Sequence, residues 1–257
     1  MKETALITGA SSGIGLDLAR LFAKDGNDVI LVARSEGKLR EIAAGLERDF
    51  GVKAHVIVAD LARPDAPQRL VAELPVEVDV LVNNAGFGVT GPFVRTDLAK
   101  ELEMIQVNIV ALTHLTKLLL PPMIARRRGR VLNVASTAAF QPGPLMAVYY
   151  ATKAYVLSFS EAIADELRDS GVTVTALCPG PTETGFAAVA DMTTTRLFNI
   201  ARPMSSAEVA HAGYAAMKRG RRVVIPGLKN KLLTQSIRVS PRRMVTTIVR
   251  KLQESRQ

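Results

Sequence analysis

Tyr149 and Lys153 stand four residues apart in a stretch that reads as a helix, so their side chains share one face. An ammonium beside a phenol favours the phenolate and lowers the phenol's pKa. A tyrosine tuned in this way can give a proton to a carbonyl oxygen or take one from an alcohol. Tyr150 and Tyr155 have no lysine four residues later. Ser136 closes an apolar run of strand length, and its hydroxyl can bond a substrate oxygen and hold it against the phenol. Asn108 interrupts the apolar run Val107-Asn108-Ile109, and a buried amide there needs a hydrogen-bond partner, such as a water leading to Lys153.

A second constellation lies near the start of the chain. Thr8-Gly9-Ala10-Ser11-Ser12-Gly13-Ile14-Gly15 follows the apolar run Ala5-Leu6-Ile7 and precedes an amphipathic stretch. Gly9 allows a sharp turn, Gly13 lets backbone approach an anion, and Gly15 lets a helix pack on a strand. Backbone N–H groups at such a helix start face a pyrophosphate.

These groups need a scaffold. Apolar runs of strand length at Leu6–Thr8, 29–33, 54–59, 78–82, 131–135, 172–177 and 223–225 alternate with helical stripes. Continuous apolar strands fit a parallel sheet covered on both faces. The order predicts an α/β fold of the Rossmann type, a doubly wound parallel sheet of about seven strands with helices on both faces. Ligands bind such sheets at the carboxyl ends of the strands, where the winding reverses. The two longest helices are expected at about 97–126 and 146–169, the first apolar on two sides.

Glycine turn, Asp60, Asn83-Asn84-Ala85-Gly86, Asn108, Ser136, Tyr149-x-x-x-Lys153 and Pro179-Gly180 follow one another as in the short-chain dehydrogenase/reductase family, which the chain resembles over about residues 3–226. Any one motif has a plainer reading as a helix surface pair, a strand end or a core amide; the ordered set is specific. The resemblance implies hydride transfer to or from a nicotinamide dinucleotide, with Asn108, Ser136, Tyr149 and Lys153 as the catalytic tetrad. It implies that Tyr149 is the acid/base and that Lys153 also holds the nicotinamide ribose. It assigns dinucleotide contacts to Gly9, Ser11, Ser12, Gly13, Ile14, Gly15, Asp60, Leu61, Asn83, Ala85, Gly86, Pro179, Gly180, Thr182 and Thr184.

An NAD site wants a carboxylate after the second strand, whereas an NADP site wants a cation for the 2′-phosphate. Positions 32–35 read Val-Ala-Arg-Ser, so Arg34 and Ser35 predict NADP(H). The expected activity is NADPH-dependent reduction of a lipophilic ketone or aldehyde, or its reverse. A sensor that binds NADP(H) without turnover, or a membrane-associated adaptor on the same fold, is the alternative. Substrate walls are expected from Phe87, Phe93, Phe140, Gln141, Leu145, Met146 and Phe186, with Leu197 and Phe198 in a segment from Gly185 to Met204 able to close as a lid.

Composition bounds the rest. The chain has 257 residues, of which 48% are hydrophobic, enough for one sizeable core. Cys178 is the only cysteine, and the three histidines are scattered, so no metal set is expected. No run reaches the roughly 18 apolar residues of a membrane span, and no signal peptide is legible, so a cytoplasmic protein is expected. The net charge of +9 sits at the C-terminal end, where Glu254 is the only acid after Met217. The division expected is a catalytic domain over 1–227 and a basic, amphipathic extension over 228–257. Three readings of that extension stay open: a helix docked on its own domain, a helix resting on anionic lipid, or a surface for an acidic partner. No aromatic follows Tyr214, which disfavours nucleic acid. The resemblance also implies a homodimer or homotetramer built on the two long helices.

Overall fold

The computed structural model describes residues 2–186 and 203–254. Its strands are β1 (Thr4–Thr8), β2 (Asp28–Ala33), β3 (Ala54–Val58), β4 (Val80–Asn83), β5 (Gly129–Val134), β6 (Val172–Leu177), β7 (Thr182–Glu183), β8 (Met204–Ser205) and β9 (Val223–Val224). Seven of them form one sheet in the order β3-β2-β1-β4-β5-β6-β9. Every pairing is parallel, with Ala5 opposite both Val29 and Val80. The winding reverses between β1 and β4, which opens a crevice at their carboxyl ends. β7 and β8 make a separate two-stranded pair that periodicity did not reveal.

Alternate side chains of each strand feed two cores. On one face Ile7, Val29, Leu31 and Val82 pack under α1 (Gly13–Lys24), α2 (Glu36–Phe50) and, further along the chain, the helix Ser206–Lys218. On the other face Leu6, Ile30, Leu81 and Val131 pack under α3 (Ala66–Ala72) and the long helical run that follows.

That run is α4 (Leu98–Ile105), a wider π-helical turn (Gln106–Ala111) and α5 (Leu112–Ala125). Contrary to the sequence expectation, Leu98–Ala125 is long and apolar enough to cross a membrane by length and composition. Its inner side is core: Met104, Leu115 and Met123 are fully buried. Leu98, Leu102 and Val110 remain exposed on its outer side. α6 (Ala147–Glu166) carries Tyr149 and Lys153, and α7 is the helix Ser206–Lys218.

The tail folds as α8 (Leu228–Val239) and α9 (Arg242–Gln253). Val245, Val249 and Gln253, four apart on α9, are its buried residues. Val245 and Val249 share a core cluster with Met104, Met146, Tyr149 and Tyr150. Residues beyond 227 therefore pack onto the same body as the sheet.

Candidate active site

The end of β1 is tied to the end of β4 by hydrogen bonds. The Thr8 hydroxyl accepts from the backbone N–H groups of Asn84 and Ala85, each at 3.0 Å, and donates to the Val82 carbonyl. The Asn84 amide donates to the carbonyls of Thr8 and Gly9. Gly9 has φ +67°, and a Cβ there would stand 2.8 Å from the Asn84 amide nitrogen. A Cβ on Gly15 would run into the Gly9 carbonyl. The turn is thus held by close backbone approach. Ser12 caps α1 without a side-chain bond, so the first N–H groups of that helix stay open to the crevice.

A cavity of about 920 Å³ begins at this turn and reaches α6. At one end it is lined by Gly9, Ser11, Ser12, Gly13, Ile14, Arg34, Ser35, Asp60 and Leu61. Ala85, Gly86, Pro179, Gly180, Thr182 and Thr184 form its waist. Ser136, Tyr149 and Lys153 stand at the far end, beside Phe87, Gln141, Met146 and Phe186. The cavity therefore gathers residues from the ends of β1 to β6 and from α6, as a doubly wound sheet requires of its ligand site.

Ser136 begins the short 3₁₀ turn Thr137–Phe140, where its Oγ accepts from the Ala138 N–H at 3.0 Å. The same hydroxyl donates to the Pro179 carbonyl at 3.4 Å and lies close enough to the Tyr149 phenol to favour its ionised form. Lys153 donates from Nζ to the Val134 carbonyl at 2.8 Å, and its Nζ lies 5.8 Å from the centre of the Tyr149 ring. The Phe186 ring packs against that of Tyr149, with centroids 5.2 Å apart and the planes tilted by 47°. Asn108 sits in the π-helical turn, a distortion frequent at functional sites. Its amide is satisfied by the Phe87 backbone on both sides and by the Thr152 hydroxyl at 3.1 Å. Gly86 passes between Asn108 and Lys153: a Cβ on it would be 2.9 Å from Asn108 Oδ1 and 3.5 Å from Lys153 Nζ.

The electrostatics correct one sequence expectation. Burial pushes the Tyr149 phenol above its ordinary range, and the Ser136 hydroxyl only partly opposes this. Burial also lowers Lys153 to about 8. In this structure desolvation outweighs the attraction expected between the pair. Tyr149 is consequently a protonated phenol at neutral pH, and burial by itself makes it a weaker acid.

Several positions differ from the sequence reading. Asn83 is not part of the cavity wall; its amide donates to Thr116 Oγ1 at 3.0 Å and Asn133 Oδ1 at 2.9 Å. Asn84 is the neighbour that reaches the cavity. Gly15 packs behind the turn and does not line it. Leu145 has φ +67° and offers its carbonyl to the Gly91 N–H, with its side chain outside the cavity wall. Phe93 and Phe140 are also outside it, and Phe93 is exposed. Leu197 and Phe198, in the proposed lid, lie outside the described residues.

The largest omission of the sequence reading is the contribution of the tail. Ile237, Met244, Val245, Ile248, Val249, Leu252 and Gln253 line the far end of the cavity. Their helical spacing was legible, but nothing in it named the surface they would cover. Lys100 and Glu103 of α4 also join the wall beside Arg34.

The donor set fits a dinucleotide phosphate. Open N–H groups and two serines stand at the glycine turn, and a guanidinium stands at the end of β2. Arg34 is 72% exposed and only 4.0 Å from Glu103, too loose a pair to hold it away from an anion.

Comparison with known proteins agrees with this geometry. The family model described as short chain dehydrogenase matches residues 3–194. The chain is 39% identical over 181 residues to a very-long-chain 3-oxoacyl-CoA reductase of Anas platyrhynchos, covering 68% of this chain and 58% of that protein. It thus spans well under two thirds of the length of that relative. It is 34% identical over 227 residues to the ketoacyl reductase HetN of a Nostoc species, covering 87% of this chain and 78% of that one. A solved short-chain dehydrogenase from Sphingobium yanoikuyae, in complex with NADPH, superposes with a TM-score of 0.84 at 32% identity and covers 98% of both chains. The glycine turn, the Ser136–Tyr149–Lys153 cluster and the match over most of its length place this chain in the short chain dehydrogenase family.

Proposed function

We propose that this protein reduces a lipophilic ketone or aldehyde to the alcohol with NADPH. One observation carries the reading: the glycine turn and the Ser136, Tyr149 and Lys153 side chains line a single cavity of about 920 Å³ whose far end is mostly apolar. Bound NADPH would supply a hydride to the carbonyl carbon. Ser11, Ser12, Ser35 and Arg34 would hold the phosphate-bearing half of the cofactor, and Lys153 the ribose nearest the reacting centre. Ser136 orients the substrate oxygen, and the Tyr149 phenol gives it a proton. A phenol that keeps its proton at neutral pH can serve as the proton donor that reduction requires. Very-long-chain oxoacyl and ketoacyl reductases among the relatives support a substrate with a long apolar body.

The test is NADPH consumption by the purified protein against a panel of aliphatic and cyclic ketones and aldehydes, with NADH in parallel. Turnover of apolar carbonyls with NADPH preferred is the expected result. Stoichiometric NADPH binding with no turnover of any carbonyl would instead support a sensor.

Two features of the surface bear on partners. Leu98 and Leu102 of α4, 66% and 56% exposed, favour pairing of the long helices with a second copy of the chain. Leu228, Leu232, Leu233 and Val239 are exposed beside Lys229, Lys231, Arg238, Arg242 and Arg243, a combination suited to an anionic lipid surface.

A further inference from the structure

We propose that Gln253 and Tyr150 form a polar subsite at the far end of the cavity that recognises a hydroxyl group on the body of the substrate. The inference rests on the ketone-reductase reading and deepens it.

Gln253 is the last residue of α9 and is 2% exposed. Its Nε2 donates to the Tyr150 hydroxyl at 2.7 Å across a separation of 103 residues. Both residues line the cavity, among Met146, Met244, Val245, Ile248, Val249 and Leu252. A wall made only for an aliphatic chain has no use for an amide, because burying one without full hydrogen bonding is unfavourable. The pair is not fully used. Gln253 Oε1 is buried and has no partner. The Tyr150 oxygen accepts from Gln253, and no acceptor for its own proton occurs among the described residues. Burial raises the Tyr150 pKa, so the proton stays on. One donor and one acceptor are therefore unspent, side by side. Turning the Gln253 amide over exchanges the roles but again leaves a donor and an acceptor. A hydroxyl group both accepts and donates, so it is the simplest group that satisfies both.

The subsite is close to the reacting centre. The Tyr149 and Tyr150 rings are 6.1 Å apart between centroids and nearly perpendicular. The subsite thus adjoins the reacting centre on the next residue of α6, and the hydroxyl position preferred reports the span between them. The same interaction also pins α9 over the cavity. A purely structural pin would treat all substrates alike, and that difference separates the two roles.

The experiment uses the full chain and a linear methyl ketone together with its monohydroxy derivatives, the hydroxyl placed at successive carbons along the chain. Steady-state reduction with NADPH is measured for the native protein, Gln253→Met and Tyr150→Phe. Binding of the same compounds to the NADP⁺-saturated protein is measured by calorimetry. The native protein is expected to prefer one hydroxylated isomer over the parent by roughly tenfold to a hundredfold in kcat/KM, carried mainly in KM. Each substitution is expected to bring that ratio to near one, with the calorimetric preference falling in step. A native protein that turns over the parent ketone but prefers none of the isomers would overturn the subsite and leave the reductase reading standing. So would variants that slow parent and isomer alike. If no ketone is reduced, the reductase reading falls, and the calorimetric preference alone decides the subsite: equal binding of parent and isomers overturns it.

Discussion

Lys153 holds its ammonium 5.8 Å from the centre of the Tyr149 ring while donating a 2.8 Å hydrogen bond to the Val134 carbonyl. The lysine is anchored by the end of β5, the same strand end that leads to Ser136. The position of the cation therefore follows from the sheet and not from the phenol. Burial lowers it from 10.5 to about 8. Between those values the unfolded chain keeps a proton that the native chain has released, so stability rises with pH across that window. Below the lower value both states are protonated and the cost of the buried charge is fully present. The gain is on the order of 3 kcal/mol across the whole window. Cys178, raised from 9.0 to about 12, and Tyr149, Tyr150 and Tyr214, all raised from 10.0, act in the opposite sense once their unfolded counterparts ionise. Urea unfolding between about pH 8 and 9 should thus show native stability climbing with pH, and Lys153→Met should lack the climb. Parallel pH curves for the two proteins would refute this placement of the lysine.

Tyr149→Phe removes the proton donor and keeps the ring that packs on Phe186. Turnover is expected to fall by about 10²- to 10⁴-fold. NADPH affinity, measured by fluorescence titration, should change by less than about threefold, within the worth of a single hydrogen bond. Retained turnover would move the acid role to another group.

Much of this site was legible because its signals are local. A lysine four residues after a tyrosine must share its helix face, and glycines after an apolar strand must make a turn. What was not legible depends on distant contacts. Asn83 and Asn84 are adjacent and chemically identical, yet Asn83 continues β4 into a buried network while Asn84 turns toward Gly9. The alternation that separates them needs the strand end, which the sequence placed one residue early. The π-helical turn around Asn108 leaves no mark on apolar periodicity. The apolar residues Met244, Val245, Ile248, Val249 and Leu252 announce an amphipathic stretch, but only the packing of α9 against Tyr150 says that the helix walls the cavity.

Arg34 is expected to set cofactor choice, because it is the cation at the end of β2 and no carboxylate is present from Val32 to Ser35. A charge-assisted contact of about 1.5–3 kcal/mol corresponds to a preference of roughly 10- to 150-fold. Arg34→Ser should reduce the NADPH-to-NADH ratio of kcat/KM by that factor through the KM for NADPH. Glu103, 4.0 Å away, opposes the anion, so Glu103→Gln should move the ratio the other way by a smaller amount. An unchanged ratio in Arg34→Ser would assign the selectivity to Lys100 or the serines.

Asn133 should carry stability rather than chemistry. Its Oδ1 accepts from Asn83 at 2.9 Å and its Nδ2 donates to Ser160 at the same distance, joining β4, β5 and α6 in a fully buried network. Asn133→Ala strands both partners, which costs about 2–4 kcal/mol and lowers Tm by roughly 4–15 °C for a chain of this size. Activity per folded molecule at low temperature should be kept. A Tm within about 1 °C of the native value, smaller than the shift from losing one hydrogen bond, would mean that water replaces the amide.

The outer side of the tail gives the last test. Leu228 and Leu232 are 73% and 61% exposed beside Lys229 and Lys231, while the inner residues of α9 are committed to the cavity. A helix pair that buries one side and leaves an apolar and basic side uncovered fits the headgroup boundary of an anionic bilayer. Each cation near such a surface contributes about 1 kcal/mol, and the attraction fades within a Debye length. Phosphatidylserine vesicles should therefore bind the protein at low salt and release it in concentrated salt. Reversing Lys229, Lys231 and Arg238 to glutamate should weaken partitioning by more than about a hundredfold without shifting Tm, since these side chains are exposed. Equal binding by the reversed protein, or equal binding to neutral vesicles, would show that the basic side does not meet lipid. The choice would then lie between an acidic protein partner and a surface that is merely solvated.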